Sequence, residues 1–143
     1  MRVKNQRNQY NLPEVSMTEN EISYEIRGAI FDVYNELGPG LFESVYQVAL
    51  MIELIDRGLD VRKEVNLPVD YKETRVDLGF RLDLLVENKV IIELKSVEKL
   101  MKVHHKQLLT YLKLTDLKLG ILVNFNEDNI KEGIYRNVNG LIE

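Results

Sequence analysis

Two acids and a lysine interrupt the aliphatic segment RLDLLVENKVIIELKS, residues 81–96. The Leu, Val and Ile residues of this segment predict two buried β-strands joined by a polar turn. Asp83 lies in the first strand, and Glu93 and Lys95 lie in the second. Carboxylates and an ammonium group in such a place are suited to binding a divalent metal ion and to chemistry at a phosphate.

The length of the turn decides whether the two acids meet. Side chains alternate between the faces of a strand, so Glu93 and Lys95 point to the same side. If the turn has three residues, at 87–89, Asp83 falls opposite Glu93 on that side. A turn of two residues would place Asp83 and Glu93 on opposite faces of the sheet.

Paired carboxylates on a half-buried sheet repel each other and lose hydration. The pair is tolerated if it shares a proton, if Lys95 compensates its charge, or if Mg²⁺ or Mn²⁺ lies between the acids. Lys95, roughly 7 Å along the same face, would then hold an attacking water or stabilise an oxyanion. In the alternative interpretation, Asp83 lies at the rim and Glu93 forms a surface ion pair with Lys95.

The composition is typical of one domain with a hydrophobic core. The chain has 143 residues, of which 45% are hydrophobic and 29% are charged. No apolar run reaches the roughly 20 residues that span a bilayer, and the N-terminus lacks the apolar region of a signal peptide. We therefore expect a cytoplasmic protein without membrane contact. Because the chain has no cysteine, oxygen or imidazole would hold any metal ion.

The charges are distributed unevenly along the chain. The formal net charge of −4 argues weakly against a nucleic-acid-binding protein. Residues 95–118, however, are rich in lysine and contain only Glu98 and Asp116 as acids. We expect the lysines beside the acid pair to contact nucleic-acid phosphates without reading the bases. These lysines are Lys99, Lys102 and Lys106.

The N-terminal part of the chain predicts an arm and then two helices. Residues 1–16 lack a periodic pattern and are interpreted as a flexible arm before a domain at 17–143. Thr18 and Glu21 fit a capping box that opens the first helix, which ends at a Gly-Pro-Gly turn. A second helix is predicted over residues 41–57. Its expected buried stripe consists of Val45, Val48, Ala49, Ile52 and Ile55.

The remainder of the chain predicts a mixed sheet. Strands are predicted at residues 61–69, 71–80, the two halves of 81–96, 119–124 and 134–138. Pro68 marks an edge strand or a strand end. A helix over residues 101–114 crosses to the apolar strand at 119–124, which we expect to be buried on both faces and to pair with the last strand. The order of elements predicts a single α/β domain.

Several motifs in order along the chain resemble the PD-(D/E)xK nuclease superfamily. Asp83 is followed by Glu93-Leu94-Lys95 on the next strand and by Gln107 and Tyr111 on the following helix. The Gln-x-x-x-Tyr element is similar to that of the RecB-type exonuclease branch. The segment GLFESVY, residues 40–46, is similar to the motif of the GxxExxY proteins, a bacterial and archaeal group of the superfamily. The resemblance implies a restriction-endonuclease-like fold, with helices flanking a mixed sheet.

The resemblance also implies roles for individual residues. The implied ligands of Mg²⁺ or Mn²⁺ are Asp83, Glu93, Glu43 and the backbone carbonyl of Leu94. Lys95 would be the catalytic lysine. Gln107 and Tyr111, at i and i+4 on one helix, would orient Lys95 or contact a phosphate. Leu82 stands where the superfamily name has a proline, and Glu43 stands where the RecB-type branch often has a histidine.

His104 lies three residues before Gln107 and is also a candidate for the site. It would bind a phosphate or assist proton transfer; otherwise it is a partly buried histidine at a helix start. We expect a Mg²⁺- or Mn²⁺-dependent nuclease that hydrolyses phosphodiester bonds in DNA, or in RNA, and that forms a homodimer. The alternative is a non-catalytic nucleic-acid-binding or protein-interaction module on a nuclease-like fold.

Overall fold

Three α-helices and a five-stranded sheet form the part of the chain that the computed structural model describes, residues 16–142. The helices are α1 (Glu19–Leu37), α2 (Glu43–Asp56) and α3 (Lys102–Thr115). The strands are β1 (Val61–Tyr71), β2 (Thr74–Val86), β3 (Val90–Lys95), β4 (Leu119–Asn124) and β5 (Ile134–Val138). A 3₁₀ helix, Ile130–Gly133, precedes β5. The predicted arm, apart from Ser16, lies outside the described residues.

Helix α1 begins and ends where the sequence predicts. The Thr18 hydroxyl accepts a hydrogen bond from the Glu21 N–H at 3.1 Å, and the Thr18 N–H donates to Oε1 of Glu21 at 2.9 Å. This reciprocal pair is the capping box, which satisfies two otherwise unpaired donors at a helix start. At the other end, Gly38 has a φ of +70° and its N–H donates to the carbonyl of Tyr34, a conformation that favours glycine.

The buried face of α2 is not the predicted one. Four residues of the expected stripe are exposed and Ala49 is half-buried: Val45 by 42%, Val48 by 51%, Ile52 by 55% and Ile55 by 44%. The helix packs on the core through Tyr46, Leu50 and Leu54, and the Tyr46 ring stacks on Phe125 at 4.3 Å. Both sides of α2 are apolar, so hydrophobic spacing alone did not distinguish the inner face from the outer one.

The sheet has the order β1-β2-β3-β4-β5 and is mixed, as predicted. Strands β3 and β4 are parallel because α3 crosses between them, and the other neighbours are antiparallel. The strands predicted at 71–80 and in the first half of 81–96 form one strand, β2, which begins at Thr74 and continues without a break to Val86. Pro68 lies in the edge strand β1, where the register shifts between Leu67 and Val69, which confirms its predicted position.

Helices cover both faces of the sheet. Helices α1 and α2 pack with one set of strand side chains, and α3 packs with the other. Strand β4 is buried along its whole length and pairs with β5, as predicted. Gly120 of β4 lies beneath Leu108 of α3, where a Cβ would come within 2.8 Å of the Leu108 side chain. Helix α3 therefore packs directly onto the backbone of β4.

No helix between residues 16 and 142 has both the length and the apolar character required to cross a membrane.

Candidate active site

The two acids meet where strands β2 and β3 stop pairing. The turn has three residues, 87–89, and the regular register ends at the pair Leu84 and Ile92, so the three-residue turn is the one of the two considered lengths that the structure contains. Beyond that pair, the Asp83 N–H donates to Oε1 of Glu93 at 3.2 Å. The Leu94 N–H donates to Oδ2 of Asp83 at 2.8 Å. Each carboxyl thus accepts a backbone N–H that no longer takes part in the pairing of these two strands.

A local irregularity in the β1–β2 pair accompanies the meeting of the acids. Glu64, which lies between the paired residues Lys63 and Val65 and faces Asp83 by register, has a φ of +51°. Leu82 packs in the cluster beneath α3, whereas Leu84 packs in the cluster beneath α1 and α2. The regular alternation of side chains in β2 is therefore broken at Asp83. A left-handed residue other than glycine costs about 1 kcal/mol, and such residues concentrate at functional sites.

The surroundings of the acid pair raise the pKa of both carboxyls. Glu93 is only 6% exposed, and burial, followed by the charge of Asp83, raises its pKa to about 8. Burial also raises the pKa of Asp83, and the two carboxyls are within hydrogen-bonding range of each other. The raised pKa values favour a protonated Glu93 near neutral pH, with its proton shared between the two carboxyls. The burial of Glu93 excludes the alternative interpretation of a surface ion pair with Lys95.

Lys95 lies beside this pair at the end of β3. Its side chain is half-buried, and its charge lowers the pKa of both Asp83 and Glu93, although burial outweighs this effect. The Lys95 carbonyl accepts a hydrogen bond from the Phe125 N–H at 2.9 Å, which fixes the end of β3 against the end of β4. The backbone of Lys95 is thus fixed at this end of the sheet, and its ammonium group lies within electrostatic range of both acids.

A cavity of about 240 Å³ opens beside Asp83. Its lining residues are Glu43, Ser44, Gln47, Glu64, Arg81, Asp83 and Leu94. Glu43 and Leu94 are among the predicted site residues. Gln47, Glu64 and Arg81 are not, and the sequence contained a signal for only one of them. Gln47 follows Glu43 by four residues and so lies on the same side of α2.

Helix α2 holds the acid strand through side chains near its N-terminus. The Gln47 Nε2 donates to the carbonyl of Asp83 at 3.0 Å. The Glu43 Oε2 accepts from the Ser96 N–H at 3.2 Å, and its charge contributes to the raised pKa of Asp83. The hydroxyl of Tyr46 donates to the carbonyl of Gly38 and accepts from the Leu41 N–H. Tyr46 therefore supports the turn between α1 and α2, rather than bonding to Glu43.

Helix α3 approaches the acids from the other face of the sheet. Tyr111 is 4% exposed, and burial, followed by the charges of Glu93 and Asp83, raises its pKa to about 12. Its ring packs on Phe80 at 5.0 Å. Gln107, one turn earlier, is exposed and makes no hydrogen bond to Lys95. Because its pKa is raised, the hydroxyl of Tyr111 remains protonated at any physiological pH.

His104 and the predicted basic residues lie at the start of α3. The Nδ1 of His104 accepts a hydrogen bond from the Met101 N–H at 2.9 Å, so a neutral imidazole carries its proton on Nε2. Burial, followed by the charge of Lys95, lowers the pKa of His104. The neutral ring is therefore favoured, and it lies within electrostatic range of the candidate site. The exposed lysines of this region are Lys99, Lys102 and Lys106.

Asn124 fixes the segment that follows Lys95. It is fully buried, and its amide forms two hydrogen bonds with the backbone of Val97, at 3.0 and 2.9 Å. Its Oδ1 also accepts from the Asn126 N–H at 3.2 Å. Asn124 thus joins the end of β3 to the end of β4 on the side where the acids and Lys95 lie.

The substitution Asn124→Ala is expected to lower the free energy of unfolding by about 1–3 kcal/mol, because it leaves the partly buried Val97 N–H without a partner and leaves the Val97 carbonyl only its bond from Asn126. Urea denaturation of the variant and the wild type measures the difference. Asn35→Ala, at an exposed position of α1, is the matched control and should change stability by less than about 0.5 kcal/mol. A loss as small as that of the control would contradict a bracing role for Asn124.

The donor set at the acids fits a hard divalent cation. Within residues 16–142, no three His, Asp or Glu side chains lie close enough together to hold an ion. Asp83 and Glu93 do present adjacent carboxyls that share a proton, and a cation of higher charge would take the place of that proton. An ion held by two carboxylates keeps several waters, which is the usual coordination of Mg²⁺ in proteins.

Comparison with known proteins gives a family for this chain. The PD-(D/E)XK nuclease superfamily matches residues 20–137, most of the chain. The chain belongs to the PD-(D/E)XK nuclease superfamily. No curated protein matches the chain, and no solved structure matches it. The superfamily confirms the predicted α/β, restriction-endonuclease-like fold, and nucleases of this superfamily typically use divalent metal ions.

Proposed function

We propose that this PD-(D/E)XK protein is a Mg²⁺- or Mn²⁺-dependent nuclease that hydrolyses phosphodiester bonds in DNA, or in RNA. The observation that carries the proposal is the meeting of half-buried Asp83 and buried Glu93, with raised pKa values, with Lys95 within electrostatic range and with a cavity beside Asp83. Titratable groups shifted by burial and by one another are characteristic of catalytic sites. Membership in the superfamily supports nucleic acid as the substrate.

The metal ion would be held by Asp83 and Glu93. The backbone carbonyl of Leu94 would add a ligand, and Glu43 would bind directly or through water. When bound, the ion supplies positive charge that stabilises the phosphate under attack. Because Glu93 holds a proton near neutral pH, it must release that proton to become a ligand. The Asp83 N–H and the Leu94 N–H keep both carboxyls oriented during this exchange.

Lys95 is the group that would act on the reacting atoms. Its ammonium donates hydrogen bonds and would hold the attacking water or stabilise the oxyanion that forms. Tyr111 keeps its proton up to a pKa of about 12, so it would serve as a hydrogen-bond donor and not as a base. Gln107 would contact a phosphate or orient Lys95. His104, with its proton on Nε2, would donate to a phosphate oxygen.

The nucleic acid would pass over the start of α3. The exposed Lys99, Lys102 and Lys106 would contact backbone phosphates and give salt-dependent binding without base recognition. We assign the chain to the GxxExxY group on the segment GLFESVY, residues 40–46, and to the RecB-type branch on Gln107 and Tyr111. The small size of the domain also suggests a homodimer, which sedimentation analysis would test.

Cleavage assays on single-stranded, duplex and branched DNA and on RNA test the proposal. We expect products with Mg²⁺ or Mn²⁺ and none with EDTA. Asp83→Asn should lose both cleavage and Mn²⁺ binding by isothermal titration, because it removes a ligand carboxylate. Asp77→Asn, at an exposed position of the same strand, is the matched control and should retain both.

Two outcomes would contradict the proposal in different ways. Unchanged Mn²⁺ binding by Asp83→Asn would refute the ligand assignment. Salt-sensitive binding of nucleic acid without product, on every substrate and with either metal, would instead favour the non-catalytic module.

A further inference from the structure

Arg81 lines the candidate cavity without a partner. It lies on β2, two residues before Asp83, and its side chain is exposed. Among residues 16–142, the ion pairs within 4.0 Å are made by Arg57 and Arg75, and Arg81 makes none. It also makes no side-chain hydrogen bond within that part of the chain. The guanidinium group is therefore available to a ligand.

Within the described part of the chain, Arg81 forms no ion pair although acids surround it. The cavity wall that contains Arg81 also contains the acids Glu43, Glu64 and Asp83. Arginine–carboxylate pairs are frequently bidentate, and Arg81 forms no such pair with any of these three acids. Here Glu43 is bound to the Ser96 N–H, and Asp83 is bound to the Leu94 N–H. Arg81 is the one cation among the residues that line this cavity, and it forms no ion pair there.

Arg81 is placed to bind an anion that lies beside Asp83 and Glu93, and not an anion that lies between them. Two residues along a strand span roughly 7 Å, and Arg81 is exposed, whereas Asp83 is half-buried and Glu93 is buried. An anion entering a cavity lined by acids also needs a positive partner at its entrance. A guanidinium binds phosphate with two parallel hydrogen bonds, which suits this place better than an ammonium group would.

We propose that Arg81 binds the phosphate that neighbours the one undergoing cleavage, so that the site takes a polynucleotide in preference to an isolated phosphodiester. This inference rests on the proposed nuclease function and identifies its substrate class. Lys95 and the metal ligands would act on one phosphate, and Arg81 would hold the next one along the same strand. Arg81 is in this role a determinant of specificity and not a group that takes part in bond breaking.

Binding measurements without metal test the contact directly. Fluorescence anisotropy of a labelled single-stranded oligonucleotide in EDTA, over a series of salt concentrations, gives the affinity and its salt dependence. Arg81→Ala should weaken binding about tenfold and reduce the slope of log K against log salt by about 0.7, the value for one lost phosphate contact. Arg81→Lys should keep the slope while losing part of the affinity. Arg75→Ala, on the same strand and paired with Asp70, is the control and should match the wild type.

A cleavage assay gives the second readout. Arg81→Ala should raise KM for an oligonucleotide about tenfold, but should hydrolyse bis(4-nitrophenyl) phosphate, which has a single phosphodiester, within about twofold of the wild type. An unchanged salt slope in Arg81→Ala, or an equal loss on both substrates, would overturn the proposal. If the wild type cleaves nothing while Arg81→Ala still loses affinity and slope, the phosphate contact stands and the nuclease function fails.

Discussion

The variant Glu93→Gln is expected to be more stable than the wild type at pH 9 in the absence of metal, by about 2–4 kcal/mol. Glutamine keeps the acceptor for the Asp83 N–H, and its amide donates to the Asp83 carboxyl as protonated Glu93 does. The wild type must instead ionise a carboxyl that is only 6% exposed and lies beside another acid. Ionisation of Glu93, which metal binding would require, thus lowers the stability of the folded chain.

The pH dependence of this difference has a definite sign. The pKa of Glu93 is raised from an ordinary value of 4.5 to about 8 in the folded chain, so the folded state binds more protons than the unfolded state between these values. The stability of the wild type therefore falls as pH rises from about 4.5 to about 8 and levels off above that range. Because glutamine does not titrate, the unfolding free energy of Glu93→Gln lacks this dependence on pH.

Urea denaturation at pH 5 and pH 9 in EDTA measures the effect. The two proteins should be nearly equal at pH 5 and differ most at pH 9. Glu98→Gln, at an exposed position, controls for the loss of one acid and should follow the wild type at both values. Saturating Mg²⁺ should reverse the order, because only the wild type gains stability from the bound ion. Equal stability of Glu93→Gln and wild type at pH 9 would rule out a buried proton at this position.

Replacement of Lys95 by alanine is expected to reduce cleavage by about 10²–10³-fold while metal binding is retained. The ammonium group would act on the water or the oxyanion, whereas the carboxylates would hold the metal ion. The alanine variant also lacks the electrostatic repulsion between the Lys95 ammonium group and the metal ion, so metal binding should not weaken. Single-turnover cleavage measures the first effect, and titration of Mn²⁺ measures the second.

Lys118→Ala is the matched control for this variant. Lys118 is exposed and precedes Leu119, which pairs with Val90 at the start of β3, so it lies at the opposite end of the strands from Lys95. It should cleave at the wild-type rate. Cleavage by Lys95→Ala within threefold of the wild type would exclude a catalytic role for the lysine, and loss of Mn²⁺ binding would make it part of the metal site.

Local signals in the sequence predicted the parts of the site that depend on the hairpin. The three-residue turn at 87–89 was one of two alternatives, and it is the one that brings Asp83 to Glu93. The α1 cap depends only on Thr18 and Glu21, so it too could be identified without tertiary information. Such features follow from interactions between residues that are close in sequence.

Other features depend on tertiary packing and were missed or wrongly predicted. The inner face of α2 could not be identified because Val48 and Leu50 are equally apolar, and only the position of Phe125 makes one side the core. In the sequence alone, Arg81 and Glu64 look like ordinary exposed charged residues on strands. Their place in the cavity depends on the left-handed Glu64 and on the broken alternation at Asp83, neither of which has a sequence signature.

The close approach of α3 to β4 at Gly120 has a consequence for the acidity of the site. Leu108 rests where a side chain on Gly120 would otherwise stand, and Tyr111 follows Leu108 by one helical turn. A methyl group at position 120 would lift this part of the helix and leave room for water above Glu93. Because exclusion of water sustains the raised pKa of Glu93, the missing side chain of Gly120, 27 residues further along the chain, contributes to the acidity of that carboxyl.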